Sequence, residues 1–342
     1  MKAFVRDVGQ AARATAVLVA TLVGAGYATG REISQYFGAA GGATIVCTAV
    51  LIAAFSMAFL YVGAAGGTWH GRLYTAYRVT LSVLAVISCG VMVAAGKALL
   101  SGRWTAVLLL AAGVSMCLQD RVFHLSNVCT VPILIVLVVV VAVAAPDLAM
   151  GSAFLPLSAA NYAGMNLLLE GELLRKEGMG MRPRAILFAG AGITVCMSLL
   201  LLAMHRIVGA SASTLPFAEV CAALGKGYAA TGVILLSILS SIAGGMRITL
   251  DVWSRRMSMA LSGLLALLTA LMVALIPFAD LVRVVYPIMG WMGVAVVVVY
   301  VAEAARLWFA PDRHRIPPIR RPMWAICKKI CKKGARMDEN AY

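Results

Sequence analysis

Charge is what this sequence has least of. Only 13% of its 342 residues are charged, about half the share found in soluble globular domains, and its mean hydropathy is +0.93. A water-soluble fold is excluded, and no stretch reads as a separate soluble domain. Catalytic signatures are missing as well. The four histidines, His70, His124, His205 and His314, fall on different segments. There is no HExxH, no GxSxG and no phosphate-binding glycine loop, so the chain is not read as an enzyme and no resident cofactor is expected. The eight cysteines show no paired spacing; most lie in apolar segments as small hydrophobes, not as a disulfide framework. Cys327 and Cys331 stand apart, spaced to share one face of an interfacial helix.

What the sequence has in abundance is apolar runs of about 20 residues, the length that crosses roughly 30 Å of hydrocarbon. They predict an all-α integral membrane protein with ten spans: 11–37, 42–65, 74–100, 103–119, 124–146, 153–174, 184–208, 228–250, 257–278 and 281–309. Residues 1–309 form the transmembrane domain and 310–342 a basic tail. The connection from Gly209 to Tyr228, with Pro216 and Gly225, has room for a short helix. Lys2, Arg6 and Arg13 ahead of an apolar stretch resemble a signal peptide, but the apolar pattern resumes through Ile33–Phe37, so a retained first span is expected. With the N-terminus inside, Arg72, Arg78, Arg121, Arg175, Lys176, Arg182, Arg184, Arg255 and Arg256 all fall in cytoplasmic loops, which puts both termini in the cytoplasm. From Arg306 onward ten Lys/Arg stand against three acids, a net +7. A tail touching anionic lipid accounts for that charge better than nucleic acid does.

Two spans carry residues that suit a continuous helix poorly. Gly24, Ala25 and Gly26, where span one is expected to break, are followed by Tyr27 and Gly30. Asn161, Tyr162, Gly164 and Asn166 sit within span six. Each interior glycine costs about 0.5–1 kcal/mol relative to alanine, and unwound backbone at membrane depth survives only where protein or a wet cavity receives it. Ten spans divide into halves of about 11–146 and 153–309, so the two irregular segments open the two halves. Interrupted helices in matching positions are the mark of a secondary-transporter binding site, and the expectation is that both helices one and six are broken. The alternative is that the small residues serve close helix packing. Acids follow each segment: Glu32 in one, Glu170 and Glu172 in the other.

The run from Gly24 to Ile33 followed by Gln35-Tyr36-Phe37 resembles the GAGFASGQEI…QFF signature of the YkvI-like bacterial membrane proteins, a group similar to the amino acid–polyamine–cation transporters of LeuT-type fold. Leu239-Ser240-Ser241-Ile242-Ala243-Gly244 is similar to the TTAVG stretch of the same proteins. Arg31 departs from the usual glutamine, and the two serines replace two threonines. The resemblance implies a five-plus-five inverted repeat in a bacterial inner membrane and uptake of an amino acid or similar small solute. It also implies a sodium site built from the Ser240 and Ser241 hydroxyls and a carbonyl of span one, Val23.

The residues themselves put the substrate between the two irregular segments, at Gly24, Ala25, Gly26, Tyr27, Asn161, Tyr162 and Asn166. Exposed amides there and the positive end of the following half-helix suit a carboxylate. Sodium coupling is expected, and proton coupling through Glu32, Glu170 or Glu172 is its rival. A receptor built on the same fold is the non-transporting alternative. Arg31, Glu32 and Asp280 are gate candidates on one side, and Arg6 and Asp251 on the other; Arg31 and Asp280 are expected to meet when their side closes. Trp69, Trp104, Trp253 and Trp308 near span ends read as interfacial anchors.

Overall fold

The structure, a computed structural model, describes residues 2–22, 25–66, 72–100, 102, 104–118, 120–144, 151–209, 211 and 213–309. Val23, Gly24, Trp69 and the tail with Cys327 and Cys331 lie outside the described residues. Among those residues the chain forms thirteen helices and no strand. They are α1 (Lys2–Leu22), α2 (Ala25–Thr29), α3 (Arg31–Phe37), α4 (Gly42–Ala64), α5 (Arg72–Leu100), α6 (Thr105–Leu118) and α7 (Asp120–Ala144), then α8 (Pro156–Gly178), α9 (Pro183–Val208), α10 (Pro216–Ala223), α11 (Gly227–Trp253), α12 (Met259–Val273) and α13 (Phe278–Phe309). Prolines open α8, α9 and α10, where the missing N–H costs nothing and the fixed φ suits the first turn.

This is an all-α membrane protein. Among the described residues five helices, α4, α5, α9, α11 and α13, are long and apolar enough to cross a bilayer. The 14 residues of α6 and 15 of α12 reach only about 21 and 22 Å at 1.5 Å per residue. The expected tenth span begins earlier, at Phe278. The helix expected as the first span begins at Lys2, well before hydropathy alone places it at 11. Polar groups on and just after that added stretch find partners at the end of α8 and in the α8–α9 connection. Gln10 donates to the Gly180 carbonyl at 3.4 Å, Arg13 pairs with Glu177 at 2.9 Å, and Arg182 approaches Asp7 at 3.9 Å.

Helices sort into two packed groups. In one, α1 lies on α9 and α8, α4 on α8 and α9, and α13 on α8 and α4; in the other, α5 lies on α11 and α12, and α6 on α11. Lipid tails are as apolar as leucine, so close approach and polar contacts, rather than burial from water, hold such a bundle together. Glycine supplies the approach between α8 and α4: a Cβ on Gly178 would sit 2.2 Å from the Leu60 carbonyl oxygen. Between α3 and α8 the chain halves touch through the isolated parallel bridge Ala40–Ala153. Gly41 N–H donates to the Ala153 oxygen at 2.9 Å and Thr44 Oγ1 donates to the same oxygen at 3.0 Å.

The break expected at Gly24–Gly26 is not seen among the described residues: Ala25 and Gly26 are helical in α2, and the interruption falls at Gly30. Its φ of +74° is a left-handed conformation that glycine adopts without a Cβ penalty, and it separates α2 from α3. The sixth span is not interrupted. α8 runs unbroken from Pro156 to Gly178, through Asn161, Tyr162 and Asn166, which corrects the expected second break. Each polar side chain that suggested unwinding is satisfied without it. Asn166 donates to the Tyr162 carbonyl one turn back at 2.8 Å, and Asn161 donates across to the Pro287 carbonyl of α13 at 3.0 Å. Gly164 is a packing residue: a Cβ there would lie 2.4 Å from the Gly290 carbonyl oxygen.

Candidate site at the interrupted first helix

The interruption folds the segment so that α3 turns its acid back on α2. Thr29 Oγ1 donates to the Gly26 carbonyl at 2.8 Å, and Gly30 N–H donates to the Tyr27 carbonyl at 3.0 Å. The Glu32 carboxyl then lies against Gly26, so close that a Cβ on Gly26 would be 2.2 Å from Oε2. Gly26 is therefore glycine because a carboxyl occupies the space of its side chain. The Tyr286 hydroxyl lies 3.3 Å from the same point, and Tyr162 OH donates to Glu32 Oε1 at 3.1 Å.

Glu32 is 4% exposed. None of the ion pairs among the described residues involves it. Its neighbours are phenols: Tyr27, which donates to the Leu200 carbonyl at 2.7 Å; Tyr36, which donates to Asn161 Oδ1 at 2.8 Å; Tyr162; and Tyr286. Tyr36, Phe37 and Tyr162 form a continuous aromatic wall, with Tyr162 edge-on to the other two at 5.3 and 5.1 Å between ring centroids. An unpaired carboxylate in such a place is costly, and the cost is relieved by a proton or by an arriving cation.

The residues expected at the site are thus partly gathered. Gly26, Tyr27, Glu32, Asn161 and Tyr162 converge. Ala25 opens α2, with its neighbour Gly24 outside the described residues. Asn166 bonds within its own helix. Ser240 and Ser241 are half-buried on α11, which packs against α2; Val23, the third member of the expected sodium set, lies outside the described residues. Glu170 is buried farther along α8, while Glu172 is held by Arg175 at 2.7 Å.

Arg31 leaves the site. It donates to the carbonyls of Ser213 at 2.9 Å and Ser211 at 3.4 Å in the connection before α10, while Asp280 is exposed at the start of α13. Asp251 pairs with Arg78 and with Arg255, and Arg6 is exposed. Trp253 donates its indole N–H to Ser82 at 3.0 Å instead of standing free as an anchor, whereas Trp104 and Trp308 are exposed.

Tyr36 and Tyr286 were missed. A tyrosine inside an apolar run whose hydroxyl needs a partner is the signal that marks them. Over the interruption lies α10, whose Phe217 and the Val208 of α9 crowd Gly30. Beside α10 opens a cavity of about 560 Å³ lined in part by Ser213, Thr214, Glu219 and Thr231. Burial inside this cap pushes the Cys221 thiol up to about 11, against a smaller opposing pull from Lys226.

No protein-family model matches this chain, and no curated protein matches it. The reading of its function rests on its own residues.

Proposed function

We propose that this protein is a secondary transporter that moves a small solute across the bacterial inner membrane by alternating access, coupled to a cation at Glu32. The observation that carries this is the Glu32 carboxyl, buried without an ion-pair partner among the described residues, where the helix is interrupted at Gly30. Charge at that depth is expensive and is kept where it has work to do. A carboxyl that gains and loses a proton as access changes is the simplest coupling device available here.

The five-plus-five arrangement remains part of the proposal without a break in helix six. The packing groups support it. Spans one and two pack with six and seven, and spans three and four with eight and nine, so adding five to each number exchanges partners within a group. The LeuT-type resemblance, cytoplasmic termini and a lipid-bound basic tail complete the reading.

The test is transport in sealed proteoliposomes, with a panel of labelled amino acids and amines under imposed proton or sodium gradients. Uptake that follows the proton gradient and is lost in Glu32→Gln supports the reading. Uptake that follows sodium and is lost in a Ser240→Ala, Ser241→Ala double variant moves the coupling site to α11. Binding with no movement of label makes the protein a receptor and overturns transport.

A further inference from the structure

We infer that Glu32 holds either a proton or the ammonium group of an amphipathic amine, never both, so that the protein exchanges one for the other. This rests on the transport reading above and specifies what is carried.

The sequence suggested that the interruption suits a substrate carboxylate. The structure puts the chain's own carboxylate there: Glu32 Oε2 fills the space over Gly26. A second carboxylate would meet like charge in a dry site. A protonated amine meets the opposite charge and finds N–H acceptors in the Glu32 oxygens and in the hydroxyls of Tyr162 and Tyr286. Its apolar body would lie against the aromatic wall of Tyr36, Phe37 and Tyr162, which is buried in this structure and has to part to admit it. Cations beside such rings gain further from their negative faces.

Exchange follows from charge counting. The site offers one negative charge. The groups that face Glu32 are all phenols: Tyr27 from α2, Tyr36 from α3, Tyr162 from α8 and Tyr286 from α13. Of the charged residues on the packed elements, Arg31 bonds the 211–213 connection, Glu170 lies two turns beyond Tyr162 on α8, Glu172 pairs with Arg175, Glu219 accepts from Ser213, and Asp280 and Arg283 are exposed. His205 on α9 borders Ala40. With a proton and an ammonium both present the pocket would carry a net positive charge away from water, at a cost that forbids it. When the ammonium binds, the Glu32 O–H bond breaks, the proton goes to bulk water, and the carboxylate keeps the electron pair. One positive charge enters and one leaves.

The experiment uses the purified full chain in detergent. 2-Phenylethylamine and n-butylamine are the probes; 2-phenylethanol and phenylalanine are the neutral and zwitterionic controls. Binding is read by calorimetry between pH 5 and 8, with proton release followed by an indicator dye in weak buffer. The amines are expected to bind more tightly than either control. Each should release close to one proton at low pH, and Kd should fall about tenfold per pH unit wherever the free carboxyl is protonated. Glu32→Gln should lose amine binding. Tyr162→Phe, which keeps the ring and removes the donated hydroxyl, serves as a second variant and should shift the pH at which release occurs. Tighter binding of phenylalanine, amine binding without proton release, amine binding retained in Glu32→Gln, or no amine binding at any pH overturns the proposal. Amine binding with proton release but no movement of label in vesicles leaves this inference standing and removes the transport reading. Proton-driven uptake of a zwitterion does the reverse.

Discussion

Replacing Gly293 by alanine tests the continuity of α8 more sharply than any substitution at the asparagines. A Cβ on Gly293 would stand 1.9 Å from the Gly164 carbonyl oxygen, whereas ordinary contact begins near 3.4 Å. The obstacle is backbone, which cannot rotate away, so α13 and α8 must separate locally by about 1.5 Å, the difference of those two distances. The Asn161–Pro287 hydrogen bond, 3.0 Å long, lies one to two turns away and would stretch beyond bonding range. Overpacking costs about 1–3 kcal/mol and the lost hydrogen bond about 1 more, giving a loss of about 2–4 kcal/mol. Unfolding can be followed with a thiol-reactive dye, because Cys89, Cys117 and Cys221 are buried. Gly164→Ala should behave similarly, and the double variant should cost less than the sum, since both changes push the same interface apart. Gly232→Ala on α11, where a Cβ meets nothing within 4 Å, is the control and should be neutral or gain about 0.5–1 kcal/mol. If Gly293→Ala melts with the control, α8 and α13 do not touch backbone to backbone, and the account of α8 as one unbroken packed helix is wrong.

Three further outcomes follow from the described geometry. Gly30→Ala forces an alanine to φ +74° and drives its Cβ to 2.7 Å from Val208 Cγ1; the left-handed conformation alone costs about 1–2 kcal/mol, so a thermal melt should show at least that loss. Tyr36→Phe keeps the aromatic wall but takes the donor from Asn161 Oδ1, and an unsatisfied buried acceptor costs about 1–3 kcal/mol, which the same melt reads. For Cys221 the folded thiol ionises near 11 rather than 9. The folded state therefore holds its proton longer, and stability falls as pH rises from 9 toward 11, by at most about 2.7 kcal/mol for two pKa units. Cys221→Ala should flatten that part of the melting-temperature profile, and an unchanged profile would rule out this thiol as its source.

Much of the fold was legible because hydropathy reports burial in lipid directly. The cores of α4, α5, α9, α11 and α13 fall where apolar runs end in charge. An interruption in this segment was legible from its glycines, but it falls four residues beyond Gly26, where Gly30 takes the left-handed φ. The asparagines of α8 misled because composition does not say where an amide points. Asn166 satisfies itself within one turn, and Asn161 reaches a carbonyl 126 residues away, a partner that only the packed bundle reveals. Glu32 was legible as a buried acid, but its four tyrosines come from four helices, and no spacing in the sequence brings Tyr286 near Tyr27. The extension of α1 to Lys2 was hidden likewise, since its partners Gly180 and Arg182 lie far along the chain.

The order in which the chain is made gives the Ala40–Ala153 bridge and the Tyr27–Leu200 hydrogen bond a further meaning. The first span leaves the ribosome carrying Glu32, Tyr27 and Tyr36, yet the groups that receive them lie at 153, 161, 162 and 200. At about 5–20 residues per second, the 173 residues between Tyr27 and Leu200 take on the order of ten to thirty seconds to synthesise. Until residues 153–162 emerge, Glu32 and Tyr36 have no native partner, and Tyr27 waits for the whole interval. This polar face of the first span is the part of the nascent protein most exposed to quality control, and a chain stalled before residue 200 carries it unfinished.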